Sequence, residues 1–416
     1  MEPSIPRTAS LSLRQIIALY ISSVLGSGIL LLPGLTADIA GPASLLAWAL
    51  MSILAIPMAL TMGFLSVRFP HAGGVSHFVA QAFNPKIGSL VGWFFLLSSV
   101  VAVPVIALTG AGYTASAFGL GESGRIAITF CILMASFATN FIGMRLTGRV
   151  QMAVVVATVI ILIGAIFGSL SAIKPENFVP FAPFGLVSIG QSATLIFWCF
   201  LGWEAISHLT EEFENPSRDV VKGTIIASVI ISLLYIATAY VVIGTHSYGP
   251  GISEVSLIHL IRLSFGSYGT IIAGGITLFI TTAPAIAYTG AAARLSYTLS
   301  RDGYAPALLG LLHSRYFTPV GALFFLLACF LLILLVYLTG IIPLDVLITV
   351  PNATFILTYL GGCLAGFFLL GDSMIGKLVS VVSFLLTAVI FLFIGWSVLW
   401  PLLITFVWFV YIWIKA

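Results

Sequence analysis

Gly26-Ser27-Gly28 falls in the middle of an apolar run that begins near residue 14, and Gly202 interrupts another, within Phe200-Leu201-Gly202-Trp203-Glu204-Ala205. In lipid, a helix must satisfy its backbone N–H and C=O groups internally. A break at that depth survives only where the freed groups line a cavity or are buried in protein. Each glycine costs about 1 kcal/mol relative to alanine inside a helix. Two interrupted spans, one at the start of the chain and one near its middle, predict a carrier with a substrate site at the bilayer midplane.

Charged residues make up 7% of the chain and apolar residues 60%, against roughly 25% charged in a soluble domain. The apolar runs predict an all-α polytopic membrane protein of twelve spans, near 14–40, 44–67, 88–117, 125–143, 149–171, 189–210, 222–244, 268–298, 318–339, 345–369, 376–393 and 396–413. Only Gly395 to Pro401 punctuates the last pair. One long helix there would give eleven spans and carry the C-terminus to the other face. The first run is too long for a signal-peptide core and has no A-x-A-like site, so it reads as a retained span. A net charge of +3 without any Lys/Arg cluster argues against nucleic acid as a partner. Cys131, Cys199, Cys329 and Cys363 all lie in apolar runs and form no CxxC pair, which fits packing rather than disulfides or a metal site. Cys199 stands apart because it adjoins the second break.

Of the 16 Lys and Arg residues, only Arg125, Lys174 and Arg262 fall on the face opposite the N-terminus. The positive-inside rule therefore puts both termini in the cytosol, and Lys415 favours twelve spans over eleven. Spans one to five and six to ten each begin with a broken helix. Five is odd, so the second set runs opposite to the first, an inverted repeat. The expected organisation is a cytosolic tail (1–13), a first five-helix repeat (14–171), its inverted copy (172–370) and two further helices with a short cytosolic C-terminus (371–416).

An interrupted helix offers two unlike ends. The half before the break ends in carbonyls without donors, and the half after it begins with N–H groups without acceptors. The dipole adds roughly half a charge of matching sign at each. Ser27, Gly28 and Ile29 present N–H groups to an anion, with Gly26 and Gly28 adding no side chain. Carbonyls near Ser22, Ser23 and Val24, and near Phe197, Trp198 and Cys199, suit a cation. A carboxylate beside an ammonium is the polar end of an α-amino acid. Of the 29 charged residues only Glu204 maps well inside a span. A charged side chain on the cargo would then stay uncompensated at a cost of several kcal/mol, so the expected substrate is a neutral, mainly apolar amino acid.

Glu204 has two readings, a proton carrier whose pKa burial raises or a gate held by hydrogen bonds. His208, one turn on along the same face, is either a relay or a span-end residue touching water. Trp198 beside the second break and Tyr288 after Ala283-Pro284-Ala285 are aromatic candidates for the site, with ordinary packing as the alternative for each.

At these residues the chain resembles the amino acid–polyamine–organocation superfamily. Gly26-Ser27-Gly28-Ile29 with Pro33 is similar to its first-helix motif, and Pro70-His71-Ala72-Gly73-Gly74 to its loop after span two. Trp198-Cys199-Phe200-Leu201-Gly202-Trp203-Glu204 followed by Glu212-Phe213-Glu214-Asn215-Pro216-Ser217-Arg218 resembles the sixth helix and the segment beyond it. Arg301-Asp302-Gly303-Tyr304-Ala305-Pro306 matches the segment after helix eight. The likeness extends over roughly residues 14–320 and is closer still to the bacterial branch that exports L-methionine and branched-chain amino acids.

The resemblance implies the leucine-transporter fold, a 5+5 inverted repeat with helices one and six interrupted plus two C-terminal helices. It also implies a bacterial cytoplasmic membrane location and efflux of methionine, leucine, isoleucine and valine by proton antiport. The chain would be a monomer or homodimer. Position by position, Val24 offers its carbonyl to the ammonium while Ser27 and Gly28 hold the carboxylate. Trp198 matches the aromatic gate, Glu204 a proton-sensing glutamate and Tyr288 a site-lining tryptophan. With Gly26, Cys199 and Leu201 these form the expected substrate site, and Glu204 with His208 the coupling and gating pair. One departure stands out: span five, Gln151–Ser171, lacks the lysine that some proton-coupled relatives carry. Proton coupling then falls to Glu204, with sodium as the alternative ion.

Import or exchange of the same cargo remains open, since the fold alternates access in either sense. A channel would need a ring of charges or a carbonyl filter. H-E-x-x-H, G-x-S-x-G and paired intramembrane carboxylates are absent, so neither an enzyme nor a cofactor is expected.

Overall fold

The computed structural model describes residues 12–71, 73–143, 148–203 and 215–415, and among them every regular element is helical. In chain order the α-helices are α1 (Leu13–Val24), α2 (Ser27–Ala40), α3 (Ser44–Arg68), α4 (Val75–Ala82), α5 (Pro85–Phe118), α6 (Gly121–Ile142), α7 (Gly148–Ser169) and α8 (Val187–Ile196). After a 3-10 turn at Phe197–Phe200 come α9 (Pro216–Gly244), α10 (Ser256–Arg301), α11 (Val320–Leu338), α12 (Leu344–Leu369), α13 (Met374–Phe391) and α14 (Leu399–Lys415).

Ten helical stretches among the described residues are long and apolar enough to cross a membrane, fewer than the twelve expected. Part of the sixth, expected at 189–210, lies outside the described residues. The first and sixth expected spans contain α1, of 12 residues, and α8, of 10, and at 1.5 Å per residue neither alone crosses ~30 Å of hydrocarbon. The eighth span, expected at 268–298, is the part of α10 that follows Gly266, whose φ 65° and ψ −160° break the helix, so α10 is two helices in line rather than one. The segment after α3 holds a short helix, α4, that the apolar pattern did not reveal.

Helix ends follow local chemistry. Asn84 accepts the Ile87 N–H at 2.9 Å ahead of Pro85, the first residue of α5, an N-cap with the missing proline donor placed where it costs least. Gly119 and Gly143, both left-handed, end α5 and α6. α5 runs through the middle, packed along α10, α12 and α6, while α3 and α9 pair beside α1 and α2. Many hydroxyls in these helices, Ser98, Thr109, Thr289 and Ser296 among them, donate to the carbonyl four residues back, which satisfies them without water. α13 and α14 lie outermost and carry large exposed apolar side chains.

Candidate substrate site

The chain between α1 and α2 turns in two residues. Leu25 N–H still reaches the Ile21 carbonyl at 2.8 Å, and Gly26 N–H folds back to the Val24 carbonyl at 2.9 Å. α2 then starts at Ser27 with no side-chain cap on its first turn. Between α8 and the segment beyond it, the 3-10 turn gives way to extended Leu201 (ψ 155°) and then Gly202 (φ 114°). The two turns touch through their glycines. A Cβ on Gly202 would lie 2.4 Å from the Ser23 carbonyl oxygen, and one on Gly28 would lie 2.5 Å from Cys199 Sγ.

A cavity opens where they meet. Ser23, Val24, Gly26, Ser27 and Gly28 line it on one side, Trp198 and Leu201 on the other. Ala102 and Ile106 of α5, Pro284 and Tyr288 of α10 and Phe355 of α12 complete the wall. None of these residues is charged. About 30 Å³ remains for the centres of water molecules, roughly two waters' worth. Phe355 meets Trp198 and Tyr288 edge to face, each at 6.3 Å between ring centres.

The polar groups around this cavity are few and specific. Trp198 Nε1–H donates to Ser27 Oγ at 3.4 Å, tying the indole to the first residue of α2. The Tyr235 hydroxyl of α9 lies 2.9 Å from both the Val24 and the Cys199 carbonyl oxygens. It carries one hydrogen, so it serves one of them at a time. Asn352 of α12 donates through Nδ2 to the carbonyls of Thr194 (2.9 Å) and Leu195 (3.3 Å) at the end of α8. Its buried Oδ1 has no partner among the described residues. Tyr20 and Trp203, both buried, pack with ring centres 5.5 Å apart and planes tilted by 43°.

Of the residues expected at the site, Val24, Gly26, Ser27, Gly28, Trp198, Leu201 and Tyr288 line this cavity together. Cys199 does not; its thiol is pressed against Gly28 and its carbonyl faces Tyr235. Glu204 and His208 lie outside the described residues. The sequence reading missed Ala102, Ile106 and Phe355, which look like any other apolar span residues. It also missed Tyr235 and Asn352, whose polar atoms inside apolar runs were the available signal. Among the described residues no group of three or more His, Cys, Asp or Glu could hold a metal ion.

Known proteins resemble this chain over nearly its whole length. A family model for amino acid permeases matches residues 11–415. The uncharacterised amino acid permease YecA of Bacillus subtilis (strain 168) is 37% identical over 384 residues, 92% of this chain and 91% of the relative. The L-methionine/branched-chain amino acid exporter YjeH of Escherichia coli (strain K12) is 34% identical over 409 residues, covering 94% and 93%. The branched-chain amino acid permease BcaP of B. subtilis is 26% identical over 327 residues, covering 74% and 70%. With these matches and its many membrane-crossing helices, the chain belongs to the amino acid permease family of the amino acid–polyamine–organocation superfamily, as a multi-pass membrane transporter and not an enzyme.

Proposed function

We propose that this protein is a secondary active transporter that exports neutral apolar amino acids, namely L-methionine, leucine, isoleucine and valine, by alternating access coupled to protons. One observation carries the reading: the uncapped N-terminus of α2 borders a cavity lined by no charged side chain. The substrate carboxylate takes the N–H groups of Ser27 and Gly28 with the Ser27 hydroxyl, where the helix dipole adds positive charge. The ammonium takes the carbonyl of Val24 or Cys199 that Tyr235 is not serving. The side chain then lies among Ala102, Ile106, Trp198, Tyr288 and Phe355, and a charge there would go unpaired.

In this reading α1 with α2, and α8 with the segment beyond Leu201, are the interrupted first and sixth of twelve spans. Residues 14–171 and 172–370 are inverted five-helix repeats, residues 371–416 add two helices, and both termini are cytosolic. The cavity is too small for leucine, which fits a conformer closed toward both sides. Glu204 carries the proton. The likeness to an exporter of methionine and branched-chain amino acids favours efflux, while the likeness to a branched-chain permease favours a second reading, uptake of the same cargo.

Counterflow in proteoliposomes tests substrate and coupling together. Radiolabelled methionine, leucine, isoleucine and valine should accumulate and respond to a pH gradient, arginine and glutamate should not, and Glu204→Gln should lose the gradient response. Accumulation of the charged pair would overturn the substrate assignment. Direction is read in dipeptide-fed cells: a deletion strain should retain more methionine and leucine, and equal retention would overturn export.

A further inference from the structure

A half-buried ion pair sits away from the cavity, on the face that the charge pattern puts outside. Arg125, in the second turn of α6, is 13% exposed in its side chain and holds Glu254 through Nη2 to Oε2 at 2.9 Å. Its Nε donates to the Leu108 carbonyl of α5 at 3.3 Å, and its guanidinium lies 5.4 Å from the ring centre of Tyr337 on α11. Glu122 is farther, at 3.8 Å, and belongs to α6 itself. The guanidinium is thus fixed by α5, α6 and α11, and it reaches across to the 3-10 turn Ser253–Val255, which carries Glu254.

That turn is in backbone contact with α2. A Cβ on Gly34 would lie 2.3 Å from the Ser253 carbonyl oxygen, so turn and helix have no room to slide separately. Gly34 is seven residues past Ser27, about 10 Å along the helix. Tyr113 of α5 makes a second tie, donating to the Leu30 carbonyl and accepting the Leu257 N–H at 3.2 Å at the start of α10. α2 is therefore braced on α5 and α6 at its middle by a tyrosine and, through the turn, by one charged contact. Arg125 is only slightly exposed, so its pair with Glu254 is less screened than a surface one.

We infer that Arg125 is a positioning residue: its pair with Glu254 latches the 253–255 turn, and α2 with it, onto α5 and α6, and so closes the outer side of the substrate site. The inference rests on the transport reading above. Opening toward the outside requires this contact to break, and removing it shifts the population toward the outward-open form.

The test uses the full chain with Ile106→Cys as a reporter on the cavity wall and Ala102→Cys as a second. Labelling by a membrane-impermeant thiol reagent is measured in right-side-out and inside-out vesicles, after subtracting the parent cysteines. Glu254→Ala should raise the outside rate roughly tenfold and lower the inside rate. Glu122→Ala removes a neighbouring carboxylate without cutting the tie and should leave both rates within about twofold. Loosened packing would raise both rates, so an increase on both sides, or no change in Glu254→Ala, overturns the latch. Leucine should slow labelling of the reporters in the parent. Failure of that protection refutes the substrate site itself, whereas protection with unchanged rates in Glu254→Ala refutes the latch alone.

Discussion

The two breaks are stopped by different means. At the first, Gly26 folds its N–H onto the Val24 carbonyl, which the Tyr235 hydroxyl also reaches, and α2 begins without a side-chain cap on its N–H groups. At the second, side chains from distant helices take the exposed carbonyls, Asn352 those of Thr194 and Leu195 and Tyr235 that of Cys199. The donors of the first break therefore stay open toward the cavity, while the acceptors of the second are largely occupied. An anion can arrive at α2 with nothing to displace. A cation must share carbonyls with a hydroxyl already there. In the proposed reading, the carboxylate end is the preformed half of the site and the ammonium end the adjustable half.

The glycines sharpen that contrast and give the largest expected effects. Gly202→Ala should abolish transport and leave little folded protein in detergent, as read by fluorescence-detected size exclusion. Its φ of 114° disfavours an L-residue by at least ~1–2 kcal/mol. Its new Cβ would also meet the Ser23 carbonyl at 2.4 Å, a backbone atom that cannot rotate away. No neighbouring substitution should rescue it.

Gly28→Ala should also lose most of its transport, yet be partly rescuable. The nearest obstacle is Cys199 Sγ at 2.5 Å, with Cα at 3.1 Å and Cβ at 3.3 Å behind it. Overpacking of this kind costs about 1–3 kcal/mol, and Cys199→Ala removes the sulfur. Gly28→Ala with Cys199→Ala should recover counterflow to within roughly tenfold of the parent. A double variant as dead as the single would show that Gly28 itself must stay bare for the substrate.

How much of this was legible depends on whether a residue's role is local. Gly26-Ser27-Gly28 and Gly202 betray themselves because glycine is out of place in an apolar run, and Trp198 and Tyr288 stand near recognisable punctuation. The walls supplied by Ala102, Ile106 and Phe355 carry no such mark, since apolar residues facing a cavity and facing a neighbour look alike. Asn352 and Tyr235 answer carbonyls that are remote in sequence (Thr194 and Leu195 for one, Val24 and Cys199 for the other), so only the folded chain brings donor and acceptor together. Ser264-Phe265-Gly266-Ser267 reads as a loop for the same local reason, and Gly266 (φ 65°, ψ −160°) breaks α10 there, just ahead of the expected eighth span.

The smallest expected effect comes from Tyr235→Phe, and its sign decides between two roles for the hydroxyl. The ring is held by Trp48 at 5.4 Å and Phe200 at 5.3 Å, so phenylalanine keeps the packing and deletes only the donor. The hydroxyl's one hydrogen serves one carbonyl at a time and Val24 keeps the Gly26 N–H, so the empty site loses one hydrogen bond at a buried carbonyl, a cost of about 1–3 kcal/mol. An ammonium has three hydrogens and can serve both, so the loaded site loses less than the empty one. Leucine should then bind roughly fivefold tighter, about 1 kcal/mol, and counterflow should slow, because release leaves that carbonyl unserved again. Scintillation proximity binding and counterflow on the same preparation read the two quantities. Weaker binding would mean that Tyr235 holds the substrate directly, and the ammonium end would then be as preformed as the carboxylate end.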